Sequence, residues 1–347
     1  MRLVWSEGPV LSAAAHDLAT RVGAGRDAAP FTTATVLSAW LDTVGTDRPV
    51  CVGTVFDGGE HAVGLLVLSR RPTDPPGRWR LWGDSVDIGS VFIEPGAEER
   101  CWGAWLADLP DGVDDLVLRN LPNVHRVTAG LHRAARAAGA PTDLVDHRAM
   151  SYADLAGGFG AWEESRSRSH RRQLRRSRAR FAAVPGLGIE ERWDADGAVA
   201  AVDELLALHD RRFGAMRRSS IYDALGERRL LRTLTGRLAA ERGVLALVAT
   251  SAGRPVAVDL TLTTPTTWYS FNGGWDPELS QYHLGTGLIV EAIERAAAAG
   301  ARRFDLLDGE EPYKRRYASG SRRVGSWIVT NPAGRARTPE GTGSPAR

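Results

Sequence analysis

Between Val244 and Leu307 the chain spells three strand-like runs, a glycine turn, an apolar helix and a fourth strand. That order restricts the fold more than any other feature. The segments 244–250, 255–263 and 267–272 are rich in β-branched and aromatic residues and read as strands. Residues 287–299 carry Ile289, Ile293 and Ala297 in helical register, and 303–307 read as a short buried strand. Gly285-Thr286-Gly287 stands at the entry to this helix. A glycine turn there presents free backbone N–H groups and the positive end of the helix dipole, which suits a phosphate or pyrophosphate.

The strand 303–307 runs into Asp308-Gly309-Glu310-Glu311-Pro312-Tyr313-Lys314. Lys314 is the only lysine of the chain, and the other 43 of its 44 basic Lys and Arg residues are arginines. Arg and Lys differ in shape, donor geometry and ability to lose a proton. A site that needs a compact point charge or a tunable amine would keep Lys where Arg fails. A strand ending in a glycine loop crowded with ionisable groups is where α/β proteins place chemistry. The acids of this region are Asp259, Asp305, Asp308, Glu310 and Glu311. Asp259 interrupts the apolar run Val256 to Leu262. The alternation puts it with Ala257 and Thr261 on a face expected to be exposed or to look into a cleft. The other reading is a partly buried carboxylate with a raised pKa.

Residues 163–180 hold eight arginines and two glutamates, a net charge of +6 in a chain whose total is only +2. The expected structure is one long helix over 162–183, stopped by Pro185-Gly186, with Leu174 and Phe181 forming a narrow apolar stripe. Such charge favours a polyanionic partner: a nucleotide-linked substrate, a CoA 3′-phosphate, a tRNA or an acidic lipid surface. Aromatic residues are not interleaved with the arginines, as single-strand stacking would require, and no DNA partner is expected. His209 reads as structural or phosphate-facing, and His283 stands next to the glycine turn.

The chain has 347 residues, 43% of them hydrophobic and 25% charged, enough for one large or two ordinary domains. Cys51 and Cys101 give neither a disulfide framework nor a metal spacing, and no metal is expected. The N-terminus lacks the charged start and apolar core of a signal peptide, and no stretch is apolar enough for a membrane span. A cytoplasmic protein is expected. In the first half, helices are expected over 8–23, 31–42, 101–109 and 127–138, with strands over 49–56, 62–69, 78–81, 86–93, 116–118 and 144–150. In the second, helices over 199–212 and 226–242 precede the strands. The halves read as 1–150 and 151–330, followed by a disordered tail over 331–347. Residues 133–146 match 295–308 at seven of 14 positions, each a helix running into a strand, as tandem copies of one module would.

From the arginine helix through "DELLALHDRRFGAMRRSS" and "GRPVAVDLTL" to "GWDPELSQYHLGTGLIVEAIERAAAAGARRFDLLDGEEPYKRRYA", residues 150–320 resemble a branch of the GNAT-superfamily acetyltransferases. This is the branch first linked to cellulose biosynthesis, itself similar to the Fem-type aminoacyltransferases. The resemblance implies an α/β protein of two GNAT-like modules, mixed sheets flanked by helices. It also implies acyl transfer from acetyl-CoA or another acyl-CoA to an amine of a small, nucleotide-linked or cell-envelope acceptor. His283, Leu284, Gly285, Thr286 and Gly287 then hold the CoA, although Tyr282 stands where the family has Gln or Arg. The implied chemistry uses a carboxylate, Asp259 or Glu310, to deprotonate the amine, and a backbone N–H near Leu260 for the oxyanion. Tyr313 protonates the leaving thiolate, and Lys314 holds a phosphate or the developing charge. Arg171, Arg172, Arg175, Asp305 and Trp275 are the substrate-binding candidates. The Fem-type likeness leaves an aminoacyl-tRNA donor open, and a non-catalytic binding module with peripheral membrane contact is the third reading.

Overall fold

The computed structural model describes residues 1–24, 29–83, 91–122, 125–224, 226–309 and 313–332. Residues 86–90 of an expected strand, the candidate base Glu310 and residues 333–347 of the expected tail lie outside them. In chain order the elements are β1 (Arg2–Glu7), α1 (Ala13–Gly23), α2 (Ala34–Leu41), β2 (Val50–Phe56), β3 (Ala62–Ser69), β4 (Arg78–Leu81), β5 (Phe92–Ile93), α3 (Glu98–Ala107), β6 (Asp115–Pro122), α4 (Arg126–Ala137) and β7 (Thr142–Asp154). There follow α5 (Gly158–Ser165), α6 (Arg168–Ala182), β8 (Leu187–Arg192), α7 (Ala195–Met216), α8 (Glu227–Ala240), β9 (Val244–Ser251), β10 (Arg254–Thr263), β11 (Thr267–Trp275), α9 (Leu284–Ala298), β12 (Arg303–Asp305), α10 (Lys314–Tyr317) and β13 (Gly320–Thr330).

The chain folds as two compact units. The first takes residues 1–22, 48–148 and the segment beginning at Arg323; the second takes 23–47 and 149–322. In the first, the strands lie in the order β1-β2-β3-β4-β6-β13, with β5 beside β3. In the second the order is β7-β12-β11-β10-β9-β8. Each sheet has one parallel pair among antiparallel neighbours: β4 with β6, and β11 with β12. A helix makes the crossover in both, α3 in the first unit and α9 in the second, as a parallel pair requires. The two modules therefore correspond through β4-α3-β6 and β11-α9-β12. The match between 133–146 and 295–308 aligned α4-β7 with α9-β12, elements in different places of the module. Its alanine runs, not common ancestry of those segments, carried the match.

In the second unit both faces of the sheet are covered. Val258 and Leu260 of β10 pack with Leu205 and Leu206 of α7, while Ala257 packs with Leu284, Leu288 and Ala292 of α9. The alternation along β10 is thus between two helix layers, not between core and solvent. The segment 23–47 joins this unit by pairing α2 and its flank with α8. Arg237 reaches Asp42 at 2.6 Å, and Arg229 reaches Asp47 at 2.8 Å. β1 and β8 escaped the sequence reading. The first is edge-placed and mostly exposed, and the second (LGIEER) has no apolar alternation.

The arginine segment is two helices instead of one. Ser167 breaks it, capping α6 by accepting from the His170 N–H at 3.2 Å. Arg171 caps the end of α5, donating to the Glu164 and Arg166 carbonyls at 2.6 and 3.1 Å. α6 buries Leu174, Ser177 and Phe181. Its close approach to α9 depends on Gly287, where a Cβ would stand 2.2 Å from Phe181 Cγ. Gly287→Ala is expected to cost roughly 1–3 kcal/mol by overpacking. Phe181→Ala alone is expected to cost roughly 3–5 kcal/mol. In the Phe181→Ala background the added cost of Gly287→Ala should vanish, a coupling that urea unfolding of the four proteins measures.

Candidate functional site

β12 ends at Asp305, and β11 pairs with it only through Thr267, Trp268 and Tyr269. From Ser270 to Trp275 that edge of β11 has no strand neighbour among the described residues. On its other edge the register with β10 slips between Leu260 and Thr261, so that Leu260 faces Asn272, Thr261 faces Ser270, and Phe271 is the extra residue of a bulge. The splayed strand is therefore β11. The bulge thus lies on β11 across from Leu260, and not on the strand of Leu260 itself.

β11 leads through Asp276 and a short 3-10 helix, Pro277–Tyr282, to α9. Asp276 is 1% exposed and is held by Arg211 at 3.3 Å and Arg254 at 3.2 Å, which fixes the departure of this connection. His283 then turns left-handed (φ 55°) and α9 begins at Leu284. Gly285, Thr286 and Gly287 are therefore the first turn of the helix itself, not a loop before it. The glycines serve packing: a Cβ at Gly285 would lie 2.9 Å from the Trp275 ring, and Gly287 receives Phe181. Arg180 of α6 lies 2.8 Å from His283 Nε2, and Ser177 Oγ lies 3.0 Å from Nδ1. An arginine can only donate, so Nε2 accepts and Nδ1–H donates to Ser177. Burial, with Arg180 and Arg316 nearby, pushes the His283 imidazole below its usual range, in keeping with this neutral tautomer.

α10 carries the last group of side chains. Lys314 is 6% exposed, and its Nζ donates to the Asp308 carbonyl. Tyr313 is 37% exposed. Tyr317, absent from the sequence candidates, is fully buried, with no hydrogen bond of ordinary geometry at its hydroxyl among the described residues. Burial raises its phenol and the Asp259 charge adds to this, while Thr286 and Arg316 pull the other way. Asp259, expected to be exposed or cleft-facing, is 3% exposed because α9 covers its face of β10. It accepts from Thr261 Oγ1 at 2.7 Å. The signal for Tyr317 was its place one helical turn after Lys314.

The remaining candidates fall elsewhere. Asp305 lines a polar pocket of about 630 Å³ at the start of β11 and β12, with Tyr152, Arg303 and Arg322. Its oxygens accept from the Leu307 N–H at 2.9 Å and from Arg322 at 3.1 Å. Trp275 touches Gly285 and carries the Arg212 guanidinium 3.9 Å from its ring centroid. Arg171 caps α5 as described, whereas Arg172 and Arg175 are exposed. Among the described residues no group of three or more His, Cys, Asp or Glu side chains could hold a metal ion, and no helix is long and apolar enough to cross a membrane.

Burial raises the Asp259 carboxyl from 3.8 to about 6, against the pull of Thr261. Its folded value exceeds the unfolded one, so the cost to stability is absent below about pH 4, grows between about 4 and 6, and is complete above, at about 3 kcal/mol. Asp259→Asn should be more stable than wild type near neutral pH, and the gain should fade toward about pH 4 in urea unfolding at the two pH values.

Residues 168–315 match the family of acetyltransferase (GNAT) domains. The comparison with curated proteins gives no match. Among solved structures the chain is similar to FemX, at 10% identity and a TM-score of 0.59, covering 95% of this chain and 98% of that one. It is also similar to the C-terminal domain assigned to a lysylphosphatidylglycerol synthetase of Agrobacterium fabrum, at 13% identity, a TM-score of 0.57 and 92% coverage of both chains. A tandem GNAT protein from the clavulanic acid biosynthesis pathway gives 17% identity, a TM-score of 0.52, and 95% and 99% coverage. At these identities the structures speak for fold alone. The fold is that of tandem GNAT-like modules with a Fem-like architecture, and residues 168–315 form a GNAT-type N-acyltransferase domain.

Proposed function

We propose that the second unit transfers an acyl group, acetyl in the simplest case, from acyl-CoA to an amine. The observation that carries this reading is the open edge of β11 beyond Tyr269, with its bulge at Phe271, leading to the first turn of α9. When bound, the thioester supplies the activated acyl group. The free N–H groups of Leu284, Gly285 and Thr286 face its pyrophosphate, with Arg180 and Arg316 beside His283. These two arginines provide the positive charge that Tyr282 does not. The unpaired edge of β11 receives the amide groups of the donor arm, and the backbone at Phe271–Asn272 donates to the oxyanion. Tyr317 Oη, kept protonated by burial, delivers a proton to the leaving sulfur. Asp259 takes the amine's proton through water or stays as the counter-group of Tyr317. Lys314, at the start of α10, holds the Asp308 carbonyl and so ties the helix that carries Tyr317 to the chain just after β12. The narrower kinship with the cellulose-linked branch rests on the motifs of residues 150–320 alone.

Among the described residues the first unit shows no comparable donor turn. The first turn of α3 carries Glu98 and Glu99, and Glu98 accepts from the Gly96 N–H at 2.9 Å. Two carboxylates at that helix pole repel a pyrophosphate, so the reading is one donor site per chain. A second reading, with aminoacyl-tRNA as donor, is favoured by Arg168, Arg172, Arg175 and Arg176, exposed on α6 and without an ion pair among the described residues.

Acetyl-CoA should raise the melting midpoint of the wild type, by about 2.7 kcal/mol of stability at a hundredfold excess over Kd, and calorimetry should count one site. Gly285→Asp puts a carboxylate at the α9 turn and should abolish the shift. Tyr317→Phe should keep the shift and lower turnover at least about 100-fold. No shift with any acyl-CoA at millimolar concentration would sink the reading. Salt-sensitive aminoacyl-tRNA retention, lost on neutralising Arg172, Arg175 and Arg176, would then support the second.

A further inference from the structure

Arg212, on the last turns of α7, is half-buried over Trp275, with its guanidinium 3.9 Å from the ring centroid and 5.9 Å from that of Phe213. No carboxylate pairs with it and no acceptor takes its N–H groups among the described residues. Its neighbours differ. Arg211 pairs with Asp276 at 3.3 Å, and Arg228 pairs with Asp210 at 2.5 Å. Arg192 and Arg295, comparably withdrawn from water, each hold two glutamates. Burial depresses the Arg212 guanidinium below its usual range, only the Tyr313 phenol opposing. Stacking on tryptophan compensates a cation for part of its lost hydration and leaves the planar fork of donors free for an acceptor arriving from solvent.

The place of this group is specific. Trp275 is the last residue of β11, at the open end of the splayed edge, and it also touches Gly285. The α9 turn already has cations from α6 and α10. Arg212 comes from α7, which packs on the opposite face of the sheet. Trp275 is four residues from Phe271, about 13 Å along a strand. We propose that Arg212 anchors an anionic group, carboxylate or phosphate, of the acceptor, whose amine lies on the order of 10 Å away at the Phe271 bulge. The inference rests on the acyl-transfer reading for the amine, but the anion site itself does not depend on the donor. It narrows the acceptor to amines with a remote negative charge and disfavours both free α-amino acids and uncharged amines.

The probes are ω-aminoalkanoates of increasing chain length, each beside the alkylamine of the same length. Without any acyl donor, ω-aminooctanoate should raise the melting midpoint of the wild type and octylamine should not. Arg212→Met should lose that shift, Arg212→Lys should retain part of it, and both should keep the shift given by acetyl-CoA. With acetyl-CoA present, KM for ω-aminooctanoate should be about tenfold below that for octylamine in the wild type and equal to it in Arg212→Met. Equal aminooctanoate shifts in wild type and Arg212→Met would overturn the proposal. So would loss of the acetyl-CoA shift in Arg212→Met, which would give the guanidinium to the donor's phosphates. An aminooctanoate shift that depends on Arg212 in a protein blind to acyl-CoA would uphold the anion site and sink the donor reading instead.

Discussion

The separation of β11 from β12 after Asp305 is the constraint on which the second unit depends. A strand edge inside a folded unit leaves N–H and C=O groups that need partners. Here, among the described residues, the sheet supplies none beyond Tyr269 on the β12 side, and the bulge at Phe271 turns the backbone further. Such an edge is stable only if its surroundings are rigid. α7 packs beneath Gly274, where a Cβ would meet Leu205 at 2.8 Å, and Asp276 is pinned by two arginines just past the strand end. Rigid walls around an unpaired edge are what a ligand with amide groups can complete at low entropic cost.

Electrostatics around the α9 turn arises from distant parts of the chain. Arg180 reaches it only because Phe181 sits on Gly287, and Arg316 reaches it from α10. A single packing contact between an aromatic ring and a missing side chain thus places charge at a helix pole. The corresponding pole in the first unit is closed by Glu98 and Glu99 on its own first turn. Two modules with the same crossover thus differ in the charge at this helix pole, not in topology.

Much of the fold was legible because β9 to β12 and α9 have strong local patterns and short connections. The antiparallel β2–β3 pair followed from Asp57-Gly58-Gly59 for the same reason. What stayed hidden were features decided by neighbours in space. Gly285 and Gly287 read as an anion-binding turn at the helix entry, yet their lack of Cβ also serves Trp275 and Phe181. Asp259 read as exposed or cleft-facing ahead of buried, since alternation cannot tell a solvent face from one covered by a second helix layer. Tyr313 drew notice beside the lysine, while Tyr317, in a plain run of basic residues, is the one turned inward. The alanine-rich match between halves reflected composition, because helices rich in Ala resemble one another wherever they stand.

The solitary lysine has a physical account in this setting. Leu307 is left-handed at φ 57° and Gly309 stands at φ 122°, so the chain just after β12 curls at these two residues. Lys314 Nζ enters that curl and meets the Asp308 carbonyl. An ammonium on an unbranched stem fits a single carbonyl in a narrow space, since its three donors rotate freely. A guanidinium is planar, wider, and directs five N–H groups in a fixed fork, so it does not replace a rotating ammonium at such a place. The lysine therefore ties the start of α10, the helix that carries Tyr317, to the chain just after β12, a structural part beside the phosphate or charge-holding role its rarity suggested.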